Sequence, residues 1–241
     1  MRIYAIGLVT PFILMGCDGD SASDDNSATI SASSLSNSSA CFNTELHQVG
    51  TEVIATYAKT GGGGTLNRTE HSRLSGPVTY QGHNDVIAIE EVGKNDTTYV
   101  VFDDSAKSVT TLGQIVDGTE TEYLPSGLLL DYALEQNQTR TYPTVSVTEN
   151  DVIVATMDVS FTFLMSESIT VPAGTFDTCK FKLSIKGTEA DGHSYETVFD
   201  QNIGVDNGIL IHVSWSTITN NATSYAGTET LTSASINGNP I

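Results

Sequence analysis

Two short stretches place imidazole beside carboxylate. Gly82-His83-Asn84-Asp85 offers His83 and Asp85, and Asp191-Gly192-His193-Ser194-Tyr195-Glu196 offers Asp191, His193 and Glu196. Such donors bind zinc or move protons when they converge on one point. Neither spacing matches a zinc signature, and both stretches read as loops, so the residue types alone predict no metal. Glu70-His71 lacks the second histidine of a metalloprotease helix and lies in a strand-like stretch. Glu90 and Glu91 are adjacent, which on a strand sends them to opposite faces, where they cannot share a substrate. No serine sits in a glycine-flanked nucleophile elbow. The chain is therefore read as carrying no catalytic residue, no metal and no cofactor, and as not being an enzyme. A hydrolase assembled from loops is the least favoured alternative.

The three cysteines carry more information. Met1-Arg2 precedes an apolar run from Ile3 to Leu14, and the run stops at Met15-Gly16-Cys17. That is the layout of a secretion signal. It is too short for a spanning helix, which needs roughly 20 residues. Leu14-Met15-Gly16-Cys17 resembles the bacterial lipobox, with Met15 standing where a small residue is usual. The resemblance implies cleavage before Cys17 and acylation of its thiol, giving an anchor of several chains where a single chain would hold only marginally. The competing reading is a chance cysteine at the end of an ordinary signal. Residues 1–16 are thus expected to be a lipoprotein signal peptide. Residues 17–40, rich in serine and aspartate and without an aromatic, read as the lipidated cysteine and a flexible tether. Residues 41–241 then form a single β-rich envelope domain. Cys41 and Cys179 remain inside it, and in an oxidising compartment they are expected to pair as a disulfide, the alternative being a buried free thiol at Cys179. No Cys-x-x-Cys redox motif is present.

Charge narrows the partners. Ten Lys and Arg stand against 29 Asp and Glu, a net of −19. Losing Arg2 with the signal makes it 9 − 29 = −20. Such a surface repels phosphate backbones, so nucleic acid is excluded as an expected partner. The expected partners are a membrane, through the lipid anchor, and an apolar ligand or another envelope protein.

The elements that would position these residues read as strands. In Asp151 to Met165 the apolar residues Ile153, Ala155, Met157, Val159, Phe161, Phe163 and Met165 alternate with Thr156, Asp158, Ser160 and Thr162. A period of two over that length is a strand, and it must bulge or bend because it exceeds ordinary strand lengths of about 3–10 residues. Cys179, Phe181, Leu183 and Ile185 alternate with lysines in the same way. Further strands are expected over 51–60, 65–74, 85–92, 97–103, 107–114, 139–148, 193–200, 209–217 and 222–233, separated by Gly, Asn and Asp turns. Gly61 to Gly64 reads as a hairpin loop, because no helix or lysine follows to make a phosphate loop. Pro125 to Asn137 is expected to be a helix, capped by Ser126 and apolar through Leu128, Leu130, Tyr132 and Leu134. The fold class is mainly β: a curved antiparallel sheet or half-open barrel with one or two short helices.

Ile169-Thr170-Val171-Pro172-Ala173-Gly174-Thr175-Phe176 resembles the VPAGTF element of uncharacterised periplasmic proteins related to the lipoprotein-carrier superfamily. Asp200 to Trp215 resembles a glycine-centred segment of the same group. The resemblance covers about a third of the chain. It implies a curved antiparallel sheet around an apolar cavity, with Met157, Val159, Phe161, Phe163 and Met165 lining the concave side. Those five either face a cavity for an apolar ligand or pack on the Leu128 to Leu134 segment in a filled core, as in a structural or interaction lipoprotein. The localisation expected is the bacterial cell envelope, facing the periplasm.

Overall fold

A computed structural model describes residues 35–61, 64–219 and 222–241. Cys17 and the apolar run before it lie outside the described residues. Among the described residues, no helix is long and apolar enough to cross a membrane.

The chain forms antiparallel strands in near-sequential order. The first six are β1 (Glu52–Gly61), β2 (Gly64–Tyr80), β3 (His83–Glu91), β4 (Thr97–Asp103), β5 (Ser108–Val116) and β6 (Thr119–Leu124). Three short strands follow, β7 (Leu128–Asp131), β8 (Thr139–Thr141) and β9 (Val145–Glu149). The long strands come next: β10 (Val152–Val171), β11 (Gly174–Glu189), β12 (Ser194–Gly204), β13 (Leu210–Thr219) and β14 (Ala222–Ile236), with β15 (Asn239–Pro240) at the end. Pairing runs from β1 to β6, passes to β9, and continues from β10 to β14. β14 then pairs with β1, so the sheet closes into a ring. β7 pairs with β5, and β8 with β10, off that path.

Alternation decides which side chains enter the ring. On β11, Cys179, Phe181, Leu183 and Ile185 are buried, while Lys180, Lys182 and Lys186 face outward. On β10, Met157, Val159, Phe161 and Phe163 are buried in the same core. Phe163 pairs with Phe181, but the next partners are Met165 and Lys180, which leaves Leu164 as a bulge residue. One extra residue exchanges the faces of everything beyond it. Met165 therefore does not join the other four; it shares the outer face with Lys180 and is 43 % exposed. A second bulge between Ile153 and Ala155 leaves Ile153 outside as well. These irregularities bend a strand of 20 residues and let the β10–β11 hairpin cross one end of the ring. The Ala173 N–H at its tip donates to the Leu231 carbonyl of β14 at 3.3 Å.

The expected helix over 125–137 is instead β7 and an extended segment. Leu128, Leu130, Tyr132 and Leu134 are all buried, and they alternate. Residues two apart share a face on a strand and point apart on a helix. Among the described residues the helical content is two 3₁₀ turns, Ser38–Cys41 and Thr44–His47, capped by the Asn37 and Asn43 side chains, which accept from the Ser39 and Glu45 N–H groups. The folded unit also takes in the last residues of the segment read as a tether. Ser38 is buried, its N–H donates to the Leu134 carbonyl at 2.9 Å, and its hydroxyl donates to the Tyr132 carbonyl at 2.6 Å.

Candidate functional site

All pairs in the ring are antiparallel, so successive turns fall at alternate ends. At one end lie the turns β2–β3, β4–β5, β10–β11 and β12–β13, together with the N-terminal segment from Leu35 to Thr51. This end is plugged. Phe42 and Leu46 are buried, and Cys41 is bonded to Cys179, 138 positions further along the chain. The Asp206 N–H donates to the Ala40 carbonyl at 2.9 Å, and the Asn43 amide donates to the Asp206 carbonyl at 2.8 Å. His47 stacks on Phe102 at 3.7 Å and meets Asp104 at 3.0 Å. Burial pulls the His47 pKa down, with Asp104 opposing.

Two of the candidate cavity residues, Phe161 and Phe163, sit above this plug in an aromatic cluster with Phe181 and Tyr132. Phe161 and Phe181 stack at 4.7 Å, Phe163 lies 5.5 Å from Phe181, and Tyr132 meets Phe161 and Phe181 edge-on at 5.6 and 5.5 Å. Phe161, Phe163, Phe181 and Tyr132 are each 0 % exposed. The concave face is thus covered by residues of the chain itself.

At the opposite end the same inner face turns ionic. Tyr57, Lys59, Arg68, Glu70 and Glu229 share it across β1, β2 and β14, Lys59 directly opposite Glu229 and Arg68 opposite Tyr57. Glu229 is fully buried, with Lys59 Nζ at 3.2 Å and Arg68 Nη1 at 3.2 Å from both of its oxygens. Arg68 also pairs with Glu70. Burial raises the Glu70 pKa, opposed by the Arg68 charge. Lys59 lies over the Trp215 ring at 5.2 Å, and that ring packs on Gly227, where a β-carbon would fall 2.5 Å from it. Tyr195 covers Gly187 likewise, at 2.1 Å from such a carbon. Alternation marks Lys59, Arg68 and Glu229 as inward only once the ring closure is known, so sequence reasoning passed over them.

A cleft of about 40 Å³ opens at this ionic end, lined by Gln114, Thr121, Glu149, Met157, Glu189 and Tyr195 among others. Of the five residues expected to line a cavity, Met157 lines it. Beside it, ligating atoms of Glu189, Asp191 and His193 lie within 4.8 Å of one another. Asp191 accepts from His193 Nδ1 at 2.9 Å and so raises its pKa. His83 and Asp85 start β3 at the plugged end, so the two histidine loops do not converge. Glu196 faces outward near Lys186 at 3.8 Å, away from Asp191 and His193. Glu91 pairs with Lys94 at 2.5 Å, while Glu90, on the other face, accepts from the Ser75 hydroxyl at 2.6 Å. His212 is half-buried on the outer face, its Nδ1 2.9 Å from the Thr230 hydroxyl.

The geometry defines a closed antiparallel ring with a plugged apolar end and an ionic end. No family model matches this chain, and no curated protein matches it. Three solved structures are similar in outline. A candidate lipoprotein from Parabacteroides distasonis shows 14 % identity and a TM-score of 0.45, over 81 % of this chain and 98 % of its own. A candidate exported protein with a YmcC-like fold from Bacteroides fragilis shows 13 % identity and a TM-score of 0.38, over 78 % and 97 %. The hypothetical lipoprotein YmcC from Escherichia coli shows 11 % identity and a TM-score of 0.39, over 80 % and 89 %. At such identities no residue role passes from them to this chain.

Proposed function

We propose that this chain is a bacterial cell-envelope lipoprotein, anchored through Cys17, whose β-domain acts as a filled structural or interaction module and does not carry an apolar ligand. The observation behind the second half is the aromatic packing of Tyr132, Phe161, Phe163 and Phe181, all fully buried. A carrier of apolar molecules holds open space of about 300–1,000 Å³, whereas the cleft at the ionic end amounts to about 40 Å³ and is partly polar. The first half rests on the apolar run ending at Leu14-Met15-Gly16-Cys17. A disulfide between Cys41 and Cys179 agrees with export, since such bonds persist in oxidising compartments. The partner class is another envelope protein, and the reading involves no catalysis and no nucleic acid.

One experiment addresses both halves. Membranes from cells expressing the full chain and its Cys17→Ser variant are washed in high salt, and the purified protein is titrated with a fluorescent fatty acid. The anchored form should stay with membranes, the variant should be released, and the probe should not saturate. A Cys17→Ser protein that remains membrane-bound would overturn the anchor. Saturable probe binding, weakened by Phe161→Ala, would restore the carrier reading.

A further inference from the structure

We propose that the cleft at the ionic end receives a lysine side chain of the partner protein, its methylenes against the apolar wall and its ammonium between Glu149 and Glu189. The inference rests on the reading of the domain as an interaction module and names the chemistry by which that module would hold its partner. The strands build the cleft row by row. Val145, Met157, Gly187 and Tyr195 pair in succession across β9, β10, β11 and β12, and Glu149 pairs with Thr121 of β6. Because Gly187 has no side chain, the Tyr195 ring lies where a β-carbon would stand and lines the cleft. The bulge between Ile153 and Ala155 brings Val154 into the lining as well. The Ala190 N–H donates to the Val154 carbonyl at 2.8 Å, which fixes the β11–β12 turn, and Glu189 with it, at the same edge.

Size and charge select the occupant. A volume of about 40 Å³ holds about three water-sized atoms at roughly 10–15 Å³ each, which admits the end of a side chain and excludes a lipid tail. Deeper in the ring the acids are matched, Glu229 by Lys59 and Arg68 and Glu70 by Arg68. At the cleft, neither Glu149 nor Glu189 pairs with a lysine or arginine among the described residues. The His193 imidazole on the same turn goes to Asp191 at 2.9 Å. Burial, with the Glu189 charge adding to it, pushes the Tyr195 hydroxyl up to about 12, so that wall stays neutral. Two carboxylates beside Val147, Val154 and Met157 call for a group that is apolar along its stem and cationic at its tip, which is lysine. A purely apolar group would leave the carboxylates unpaired, and an inorganic cation would leave the apolar wall uncovered. Just before Val154, Val152 and Ile153 are 63 % and 56 % exposed, an aliphatic lip for the partner chain on either side of its lysine. The chain's net charge of −19 favours the approach of such a basic segment.

Methionine supplies the readout, because Met157 lines the cleft and Met165 lies on the outer face of the same strand. With methionine methyls labelled by ¹³C, the full chain in detergent is titrated with N-acetyl-lysine amide, and in parallel with N-acetyl-norleucine amide, which has the same stem without the amine. The lysine probe should move the Met157 methyl resonance saturably and leave Met165 in place. Half-saturation should come at concentrations at least fivefold higher in Glu149→Gln, in Glu189→Gln and for the norleucine probe, and should be unchanged in His83→Ala at the far end of the ring. Circular dichroism confirms that each variant is folded, and either glutamine variant suffices if the other is not. A Met157 resonance that does not move would overturn the proposal. So would norleucine binding as tightly as lysine, or unchanged lysine binding in a folded glutamine variant. Each of these leaves the filled-module reading standing, since the fatty-acid titration decides that reading by itself.

Discussion

The two ends of the ring share one inward face, the apolar end centred on β10 and β11 and the ionic end on β1, β2 and β14, yet they solve opposite problems. At the plugged end the chain covers its own sheet. Phe42 packs on Tyr132, which meets Phe161 and Phe181, Leu46 and Leu134 join the same core, the Cys41–Cys179 bond holds the N-terminal segment against β11, and the β10–β11 tip reaches β14. At the ionic end the inward positions carry Lys59, Arg68, Glu70 and Glu229, and their burial is tolerable because each charge has a partner. One end is held by apolar area and shape, the other by matched charge. Changes at the first should therefore cost by volume, and changes at the second by the charge left unpaired.

The largest effect is expected from Phe161→Ala. It removes a fully buried ring stacked on Phe181 and leaves a void beside Tyr132, which costs about 3–5 kcal/mol. Thermal or denaturant unfolding reads this directly. A loss under about 1 kcal/mol would mean that the aromatic cluster tolerates a void, and the contrast between the ends would fail.

Next comes Arg68→Ala, which leaves Glu70 unpaired and Glu229 with Lys59 alone. Breaking a buried ionic set by removing one member costs about 3 kcal/mol. Replacing Arg68 and Glu70 together by Met and Leu should cost less than Arg68→Ala alone, because no charge is then stranded. If the double change costs the sum of the single ones, the cluster is not acting as a unit.

The sequence reveals these two ends unequally. The long strands were legible, because alternation over Ala155 to Phe163 and Cys179 to Ile185 admits one reading. Leu128, Leu130, Tyr132 and Leu134 alternate too, but a polar cap and leucine-rich composition gave them a helical look; β5 supplied the edge that made them a strand. Met165 left the inner face because of one bulge residue, and nothing local marks where a bulge falls. The ionic end was illegible for a different reason. Lys59 and Glu229 are 170 residues apart (229 − 59) and meet because β14 pairs with β1. Read singly, each charge on a strand end looks solvated. The disulfide was accessible from composition, since two cysteines in a domain expected to be exported have one partner each.

The smallest effect, and the one that separates the ends most cleanly, is the sign of their response to acid. At the plugged end, burial makes folded His47 bind a proton less readily than the unfolded chain does, despite the Asp104 carboxylate. Stability from that residue is complete above the unfolded value of about 6.5 and falls as pH drops through it, levelling off below the folded pKa. At the ionic end, burial makes folded Glu70 bind a proton more readily than the unfolded chain does, despite Arg68. Its contribution therefore rises as pH falls through the raised folded value, and stops rising near the unfolded value of about 4.3. Melting temperatures of the unmodified protein, compared with His47→Phe across the range just below neutrality, should show the unmodified protein losing ground as acid is added. The same comparison with Glu70→Gln at lower pH should show it gaining ground. Two slopes of the same sign would mean that one of these side chains is not held as the packing around it requires.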